Sequence, residues 1–254
     1  MLQKISSLLL IYITLSSCAS RKDIHYLQDA DMFSGAEINY QSATIQPNDI
    51  LRITVESNIP EAARPYNRGV GQVTQIQDLQ LLKLDGYLVD LNGMIDFPVL
   101  GKLSTKNKTT QDFAAFLKEK LESGSHLNNA NVLVRLLNAK FTVLGEVNRP
   151  GTYNFTEQNI TLLQALGYAG DLTINGKRED IILTREVEGI RKITHIDLTN
   201  SDFMNSQFYF IKPNDVIVVN QNNPRVKQAG FIGNIGTILT IASLALSMTI
   251  LLTR

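Results

Sequence analysis

The chain has 254 residues, balances 24 Lys and Arg against 24 Asp and Glu, and is 44% hydrophobic. This length predicts one large or two small domains with a sizeable core. The zero net charge lacks the basic excess typical of nucleic-acid binders, so no nucleic-acid partner is expected.

The N-terminus has the features of an exported lipoprotein. Residues 1–17 carry one positive residue, Lys4, followed by an apolar run too short for a comfortable membrane span, which predicts a signal peptide. The run ends at Leu15-Ser16-Ser17-Cys18, which resembles the lipobox of bacterial lipoproteins, where the cysteine takes a diacylglycerol. Cys18 is the only cysteine, so no intrachain disulfide competes for its thiol. The alternative is an ordinary signal peptide with an incidental cysteine. Residues 18–43 are interpreted as a tether with one short element.

Periodic structure begins near residue 44. Pro47-Asn48-Asp49 is a turn signal, because Pro fixes φ and Asp can bond its own backbone, and residues 50–55 then read as a strand. Further on, Asn92-Gly93 lies between apolar runs at 87–91 and 94–97, which predicts a β-hairpin.

A helix is predicted over about 110–122. Phe113, Phe116, Leu117 and Leu121 fall on one face, Thr109 or Thr110 can cap the start, and Gly124 can end the helix. A second, shorter helix is predicted after Thr161, where Thr161-Leu162-Leu163-Gln164 forms a capping box.

The segment 141–155 predicts a strand, a turn and another strand. It contains Gly145, and its Pro150-Gly151 pair suits a type II turn with Pro and Gly at the two central positions. Later strands are predicted at 180–185, 192–197 and 216–219.

One short motif occurs twice. Ile-x-Pro-Asn-Asp-(Ile/Val) stands at 45–50, with Pro47 and Asp49, and again at 211–216, with Pro213 and Asp215. Either two related β-rich units begin a strand by the same turn, or two similar turns coincide by chance. Asp49 and Asp215 could be read as a catalytic carboxylate pair, but each occupies a position where Asp serves its own turn.

The ordered set of these residues resembles a known family. Residues 45–55, 85–103 and the helix near 110–122 resemble the polysaccharide export domain of Wza-like outer-membrane proteins. The spelling Val-x-Gly-x-Val-x-x-Pro-Gly-x-Tyr within 141–155 resembles the start of the soluble-ligand-binding β-grasp (SLBB) domain of that family. The resemblance implies an α+β fold, with a β-rich polysaccharide export domain over 44–138 followed by a β-grasp-like SLBB domain over 139–222. Larger members carry two or more SLBB units, whereas this chain has one.

The C-terminal segment 229–253 has no charged residue, which predicts a C-terminal transmembrane helix. A helix over 230–252 would be about 35 Å long, against a hydrocarbon core of about 30 Å. Small and hydroxyl residues recur on one face as candidate pore-lining or helix-packing positions: Gly233, Gly236, Thr237, Thr240, Ser243 and Ser247. Three interpretations are open: a single tail anchor, tight helix–helix packing, and, as the resemblance implies, a ring of helices around a pore. The last two are compatible with each other.

No catalytic site is expected. The three histidines, His25, His126 and His195, have no metal-ligand spacing, and nucleophile-elbow and P-loop motifs are absent from the sequence. No metal or cofactor is predicted.

The resemblance implies a subunit of an oligomeric outer-membrane channel that exports capsular or extracellular polysaccharide as a passive conduit. Such a protein would be a homo-oligomer, lipid-anchored in the outer membrane with periplasmic domains, and would work with an inner-membrane polysaccharide co-polymerase. The alternative is a membrane-anchored sugar-binding or sensing module without a pore, for which Tyr153, Tyr168 and Tyr209 are candidate stacking residues.

Overall fold

A computed structural model describes residues 24–32, 35, 37–38, 40–68, 79–187, 189–222 and 235–252. The chain has an α+β fold with two separate hydrophobic cores. One core is formed by residues between 45 and 136. The other is formed by residues between 136 and 219, and Tyr26 and Leu27 pack against it. We call residues 44–138 the first half and residues 139–222 the second half.

The first half is built on a three-stranded antiparallel sheet. Its elements are β1 (Ile50–Glu56), α1 (Pro60–Ala63), a 3-10 turn (Arg64–Tyr66), α2 (Leu79–Leu84), β2 (Tyr87–Leu88), β3 (Met94–Phe97), β4 (Gly101–Ser104), α3 (Thr110–Ser123) and β5 (Asn131–Leu136). The sheet order is β2-β1-β5, and β3 and β4 form a separate antiparallel pair. β1 alternates buried and more exposed residues, which directs Leu51, Ile53 and Val55 into the core.

The predicted helix is confirmed as α3 and covers this core. The Thr109 hydroxyl accepts a hydrogen bond from Asp112 N, the Asp112 carboxylate accepts one from Thr109 N, and Gly124 follows the last turn. Phe113, Leu117 and Leu121 are fully buried, as their spacing predicts.

The second half contains a mixed five-stranded sheet of order β10-β9-β12-β6-β7. Its elements are β6 (Lys140–Gly145), β7 (Gly151–Asn154), β8 (Ile160–Thr161), α4 (Leu162–Tyr168), β9 (Gly176–Val187), β10 (Ile190–Ile196), a 3-10 turn (Asp202–Asn205), β11 (Phe210–Ile211) and β12 (Val216–Gln221). β12 runs parallel to β6 and antiparallel to β9. The capping box predicted for α4 is confirmed, because Thr161 and Gln164 exchange hydrogen bonds at its start.

Two local predictions are corrected. The turn at Asn92-Gly93 forms, with Gly93 at φ 71°, and Asp90 N donates to the Met94 carbonyl across it at 2.9 Å. The predicted hairpin does not extend into a longer ladder, because β2 pairs with β1 and β3 pairs with β4. The Asp90 carboxylate accepts hydrogen bonds from Asn92 N and Met94 N, so the side chain holds this turn together.

The type II turn predicted at Pro150-Gly151 is also wrong. Such a turn needs positive φ at the glycine, and Gly151 has none. The reason is its place in the sheet: Gly151 opens β7 and pairs with Val143 of β6, which requires extended backbone.

The helix α5 (Ile235–Leu252) lies in the C-terminal segment. Within the described part of the chain, no helix is long and apolar enough to cross a membrane. The transmembrane helix predicted over 229–253 is therefore not supported.

Candidate functional site

The two copies of the repeated motif fold into the same turn. Asp49 Oδ2 accepts a hydrogen bond from Gln46 N at 2.8 Å, and Asp215 Oδ2 accepts one from Lys212 N at 2.8 Å. The asparagine before each aspartate has a left-handed backbone, with φ 70° at Asn48 and φ 68° at Asn214. Each turn starts a core strand, β1 or β12, so both carboxylates are buried.

The two carboxylates differ in their partners. Asp215 forms a two-pronged ion pair with buried Arg185, with Nε to Oδ1 at 2.9 Å and Nη2 to Oδ2 at 2.6 Å. The same guanidinium donates to the carbonyls of Gln207 and Phe210. Burial raises the pKa of Asp215, and the Arg185 charge opposes that rise. Among the described residues no basic side chain pairs with Asp49, and burial raises its pKa to about 6.

The unpaired Asp49 predicts a specific pH dependence of stability. Its folded pKa of about 6 exceeds the unfolded value of 3.8, so the folded state retains a proton that the unfolded state has lost. Stability contributed by this group is therefore present below about pH 4 and falls as the pH rises to about 6. The penalty above that range is about 2–3 kcal/mol, since one pKa unit corresponds to about 1.4 kcal/mol.

We expect Asp49→Asn to raise the free energy of unfolding at pH 7.5 by about 1–2 kcal/mol, because the neutral amide removes the cost of burying a charge. The gain is smaller than the full penalty, since the amide keeps the acceptor but adds a donor that needs a partner. The gain should vanish near pH 4. Urea unfolding of both proteins between pH 4 and 8 measures the difference. A variant that is less stable than the parent at pH 7.5 would contradict this assignment.

A cleft of about 1140 Å³ lies between the two halves, and both repeated turns line it. Its lining includes side-chain amides, two cations and one anion: Gln46, Asn48, Asn107, Asn214, Lys106, Arg191 and Glu186. Within the described structure, no hydrogen bond engages the side chains of Asn48, Asn107 or Asn214. Amides offer both donors and acceptors, so the cleft can hydrogen-bond to a hydroxyl-rich ligand.

The two halves contact each other directly beside this cleft. Gln46 Nε2 donates to the Glu186 carbonyl at 3.3 Å. At the junction, the Asn138 side chain accepts a hydrogen bond from Ile50 N and donates to the Asn48 carbonyl, both at 2.9 Å. The first turn is thereby tied to the point where the chain enters the second half.

The candidate stacking tyrosines lie in aromatic clusters of the second half. The Tyr153 and Tyr168 rings both lie 5.7 Å from Phe141, and the Tyr153 hydroxyl donates to the Arg149 carbonyl. Tyr209 lies edge-on to Phe210 at 4.9 Å. Phe210 also stacks at 5.4 Å on Tyr40, which is 65% exposed. Sequence reasoning missed Tyr40, since it lies in the segment interpreted as a tether.

The remaining predicted site residues lie near the two ends of the chain. Cys18 and Gly233 lie outside the described residues, and Thr237 lies on α5 with its side chain undescribed. Thr240, Ser243 and Ser247 each donate to a carbonyl of their own helix, at 2.7, 2.9 and 2.8 Å. The Thr240 acceptor is the carbonyl of Gly236.

In the part of the chain that the structure describes, no three His, Cys, Asp or Glu side chains form a group that could hold a metal. His126 contacts the Tyr66 hydroxyl, and His195 bonds to Asp180. Hydrogen bonds from His195 and Lys177 hold the pKa of Asp180 below its ordinary value.

Family models match both halves. Residues 38–137 match the model described as polysaccharide biosynthesis/export protein, and residues 139–219 match the SLBB domain. The two matches meet at Asn138, the junction residue that bonds to the first turn. The chain therefore belongs to the polysaccharide biosynthesis/export protein family and carries one SLBB domain.

Proposed function

We propose that this protein is a subunit of an oligomeric outer-membrane channel that exports capsular or extracellular polysaccharide as a passive conduit. Family membership supports a role in polysaccharide export. In the proposal the domain boundaries fall at 44–138 and 139–222, both domains are periplasmic, and neither is an enzyme. The assembly is a homo-oligomer that receives polysaccharide from an inner-membrane co-polymerase.

The apolar surface of α5 is the observation that supports assembly of the chain into an oligomer. Its exposed side chains are Leu239, Ile241, Leu244, Leu246, Met248, Ile250 and Leu251, with exposed fractions between 55% and 81%. A continuous apolar surface of this kind marks a site of association. Copies of the same helix are suitable partners, because small side chains at Gly236, Thr240, Ser243 and Ser247 let helix backbones approach closely.

The hydroxyls of α5 suit both a helix contact and a conduit wall. The hydroxyls of Thr240, Ser243 and Ser247 each donate a hydrogen bond to a backbone carbonyl. These side chains can therefore lie against apolar atoms without leaving a donor unsatisfied. Toward a passing sugar these oxygens act only as acceptors. A wall with few donors and no charge would hold a polysaccharide weakly and let it slide.

Lipid on Cys18 is the proposed anchor. Acyl chains contribute roughly 0.8 kcal/mol per buried CH₂, so several chains on one cysteine hold a protein stably. Ala19 and Ser20 follow Cys18. By the enterobacterial sorting rule, the absence of aspartate there favours the outer membrane. Cys18→Ser should abolish incorporation of labelled palmitate.

The test of the channel uses full-length protein in detergent. We expect a large symmetric oligomer by electron microscopy and light scattering. Ser243→Leu places bulk on the small face, where overpacking typically costs about 1–3 kcal/mol, so the oligomer and surface polysaccharide should both be lost. Deleting residues 229–254 should have the same effect.

Thr249→Leu is the matched control, because residue 249 lies on the other side of α5 and the change adds similar apolar bulk. It should leave assembly and export near the parent level. A monomeric parent protein, or equal loss in both leucine variants, would overturn the channel.

A second candidate, a membrane-anchored sugar-binding or sensing module without a pore, is favoured by the amide-lined cleft. Three amide side chains there have no hydrogen-bond partner among the described residues, which suits binding of sugar hydroxyls. The size in detergent separates the two functions, because a sensing module need not assemble. A monomer that binds oligosaccharide through Asn48 and Asn214 would favour this candidate.

A further inference from the structure

The floor of the cleft between the two halves is the outer face of the five-stranded sheet. Cross-strand pairs place five lining residues on this face: Glu186 with Arg191, Thr184 with Ile193, and Thr184 with Val216. Paired residues of neighbouring strands share one side of a sheet. The alternating residues of β9 and β12 are buried on the opposite side: Leu183, Arg185 and Ile217. The core of the second half therefore uses one face of the sheet and leaves the other face to the cleft.

The opposite wall of the cleft comes from three turns of the first half. Its polar and apolar lining residues are Gln46, Asn48, Leu91, Lys106 and Asn107. The Gln46 amide donates to the Glu186 carbonyl at 3.3 Å, and the Asn138 side chain ties the same turn to the start of the second half. The two walls are thus held in place before any ligand enters, which lowers the ordering cost of binding.

Each wall carries a cation that the fold does not use. Lys106 and Arg191 are exposed, and within the described structure neither forms an ion pair. Among the described lining residues the single acid is Glu186, which lies opposite Arg191 in the strand register. Two cations against one anion give the cleft an excess of one positive charge, although the net charge of the whole chain is zero.

The other lining residues suit the ring of a sugar. The amides of Asn48, Asn107 and Asn214 can bond to hydroxyls as donors or acceptors. Leu91 and Ile193 are 81% and 63% exposed, so they can pack against the C–H groups of a pyranose ring. The cleft volume of about 1140 Å³ exceeds the roughly 300–1,000 Å³ of pockets for drug-sized ligands, so it can hold more than one ring.

We propose that this cleft binds a carboxylate-bearing stretch of polysaccharide, such as a run of hexuronic acids, and that Lys106 and Arg191 pair with its carboxylates. The inference rests on the proposed function and deepens it, because it makes an acidic polymer the exported class. A neutral sugar would leave both cations without a counterion, whereas a carboxylate can accept two hydrogen bonds from the arginine fork. Glu186 offsets part of the attraction, which lets a passing polymer leave the site.

The test compares ligands of matched shape on the full-length protein in detergent. Trigalacturonic acid is the acidic probe, and its carboxyl-reduced form, trigalactose, is the neutral one. We expect calorimetry at low salt to show tighter binding of the acid by about tenfold. This preference should decrease as salt rises to about 0.5 M, because salt screens exposed charges. Tricarballylate, an acid of similar charge without a sugar ring, should bind more weakly than trigalacturonic acid.

Removing either cation should reduce the preference for the acid. We expect Lys106→Met and Arg191→Met each to lower affinity for trigalacturonic acid about fivefold and to leave affinity for trigalactose unchanged. Lys192→Met is the matched control. Lys192 is exposed on the same strand but pairs with Arg185, so it lies on the side of β10 away from the cleft.

Two further variants distinguish a binding role from a structural one. Glu186→Gln removes the anion from the lining and should raise affinity for the acid about twofold to fivefold, which damage to the fold would not do. Asn48→Gly removes an amide while keeping the left-handed backbone at φ 70°, which glycine adopts readily. It should weaken binding of both trisaccharides by the same factor, because hydroxyls are common to both.

Equal affinity of the parent protein for the two trisaccharides would overturn the acidic ligand. The same conclusion would follow if Lys106→Met and Arg191→Met bound the acid as well as Lys192→Met does. Tricarballylate binding as tightly as trigalacturonic acid would show attraction of charge alone and would overturn the saccharide site. Failure of the channel is separate: a symmetric oligomer without the preference overturns this inference alone, whereas a monomer with the preference keeps the site and overturns the channel.

Discussion

Replacing Arg185 with alanine is expected to lower the free energy of unfolding of the second half by about 3–5 kcal/mol, the usual cost of removing one partner from a buried ion pair. Arg185 is 4% exposed and Asp215 is 1% exposed, so water cannot solvate the carboxylate left behind. The change also leaves the carbonyls of Gln207 and Phe210 without their donor. β12 starts directly after Asp215, so the damage reaches the centre of the sheet.

Urea unfolding, together with hydrogen exchange of β9 and β12 amides, measures the loss in the second half. Arg191→Ala is the matched control, because residue 191 is exposed on the neighbouring strand, and it should change stability by about 0.5 kcal/mol or less. The double variant Arg185→Met with Asp215→Asn should recover part of the loss, since it leaves no buried charge. A loss below about 1 kcal/mol in Arg185→Ala would show that the pair is not structural.

The repeated motif shows how far the sequence could predict this site. Pro-Asn-Asp before an apolar run predicts both turns and both strands, because those interactions are local. The partner of Asp215 lies 30 residues away on β9, and the missing partner of Asp49 has no local signature at all. The sequence therefore predicts two equivalent turns. Tertiary packing makes them different, because Arg185 neutralises the charge of Asp215 and no cation does so for Asp49 among the described residues.

The docking of residues 26–29 on the second half could not be predicted from the sequence, for a different reason. Residues 18–43 have no apolar periodicity, and Tyr26 and Asp29 bond to residues 145 and 172 positions later, Asp171 and Ser201. Short extended segments that dock through a few hydrogen bonds leave no pattern in composition. Tyr40, whose ring stacks on Phe210, was missed for the same reason.

The conformation at Pro150-Gly151 could not be predicted for a comparable reason. The dipeptide favours a type II turn locally, but pairing of Gly151 with Val143 requires extended backbone. The glycine with the demanding conformation is Gly145, at φ 91° where β6 ends. The motif Gly-x-Val-x-x-Pro-Gly contains both glycines, and only the structure distinguishes their roles.

Gly145 is held by two constraints at once. Its positive φ costs a residue with a side chain about 1–2 kcal/mol. A Cβ added there would also lie 2.0 Å from the carbonyl oxygen of Val219, which is backbone of β12 and cannot rotate away. The parallel ladder between β6 and β12 ends at this pair, and the next residue, Glu146, donates its N–H to the same Val219 carbonyl.

Gly145→Ala is therefore expected to destabilise the second half by about 2–5 kcal/mol, from backbone strain together with the 1–3 kcal/mol typical of overpacking. Two glycines of the same half separate these contributions. Gly189→Ala has φ 76° but open space around the added Cβ, so it should cost only the strain. Gly151→Ala has neither constraint, with its nearest contact at 3.8 Å, and should be close to neutral. Urea midpoints should rank Gly145→Ala well below Gly189→Ala, and Gly189→Ala below Gly151→Ala. Equal losses at 145 and 189 would mean that β12 shifts to accept the methyl group, and that the close approach of the two strands is not needed for the fold.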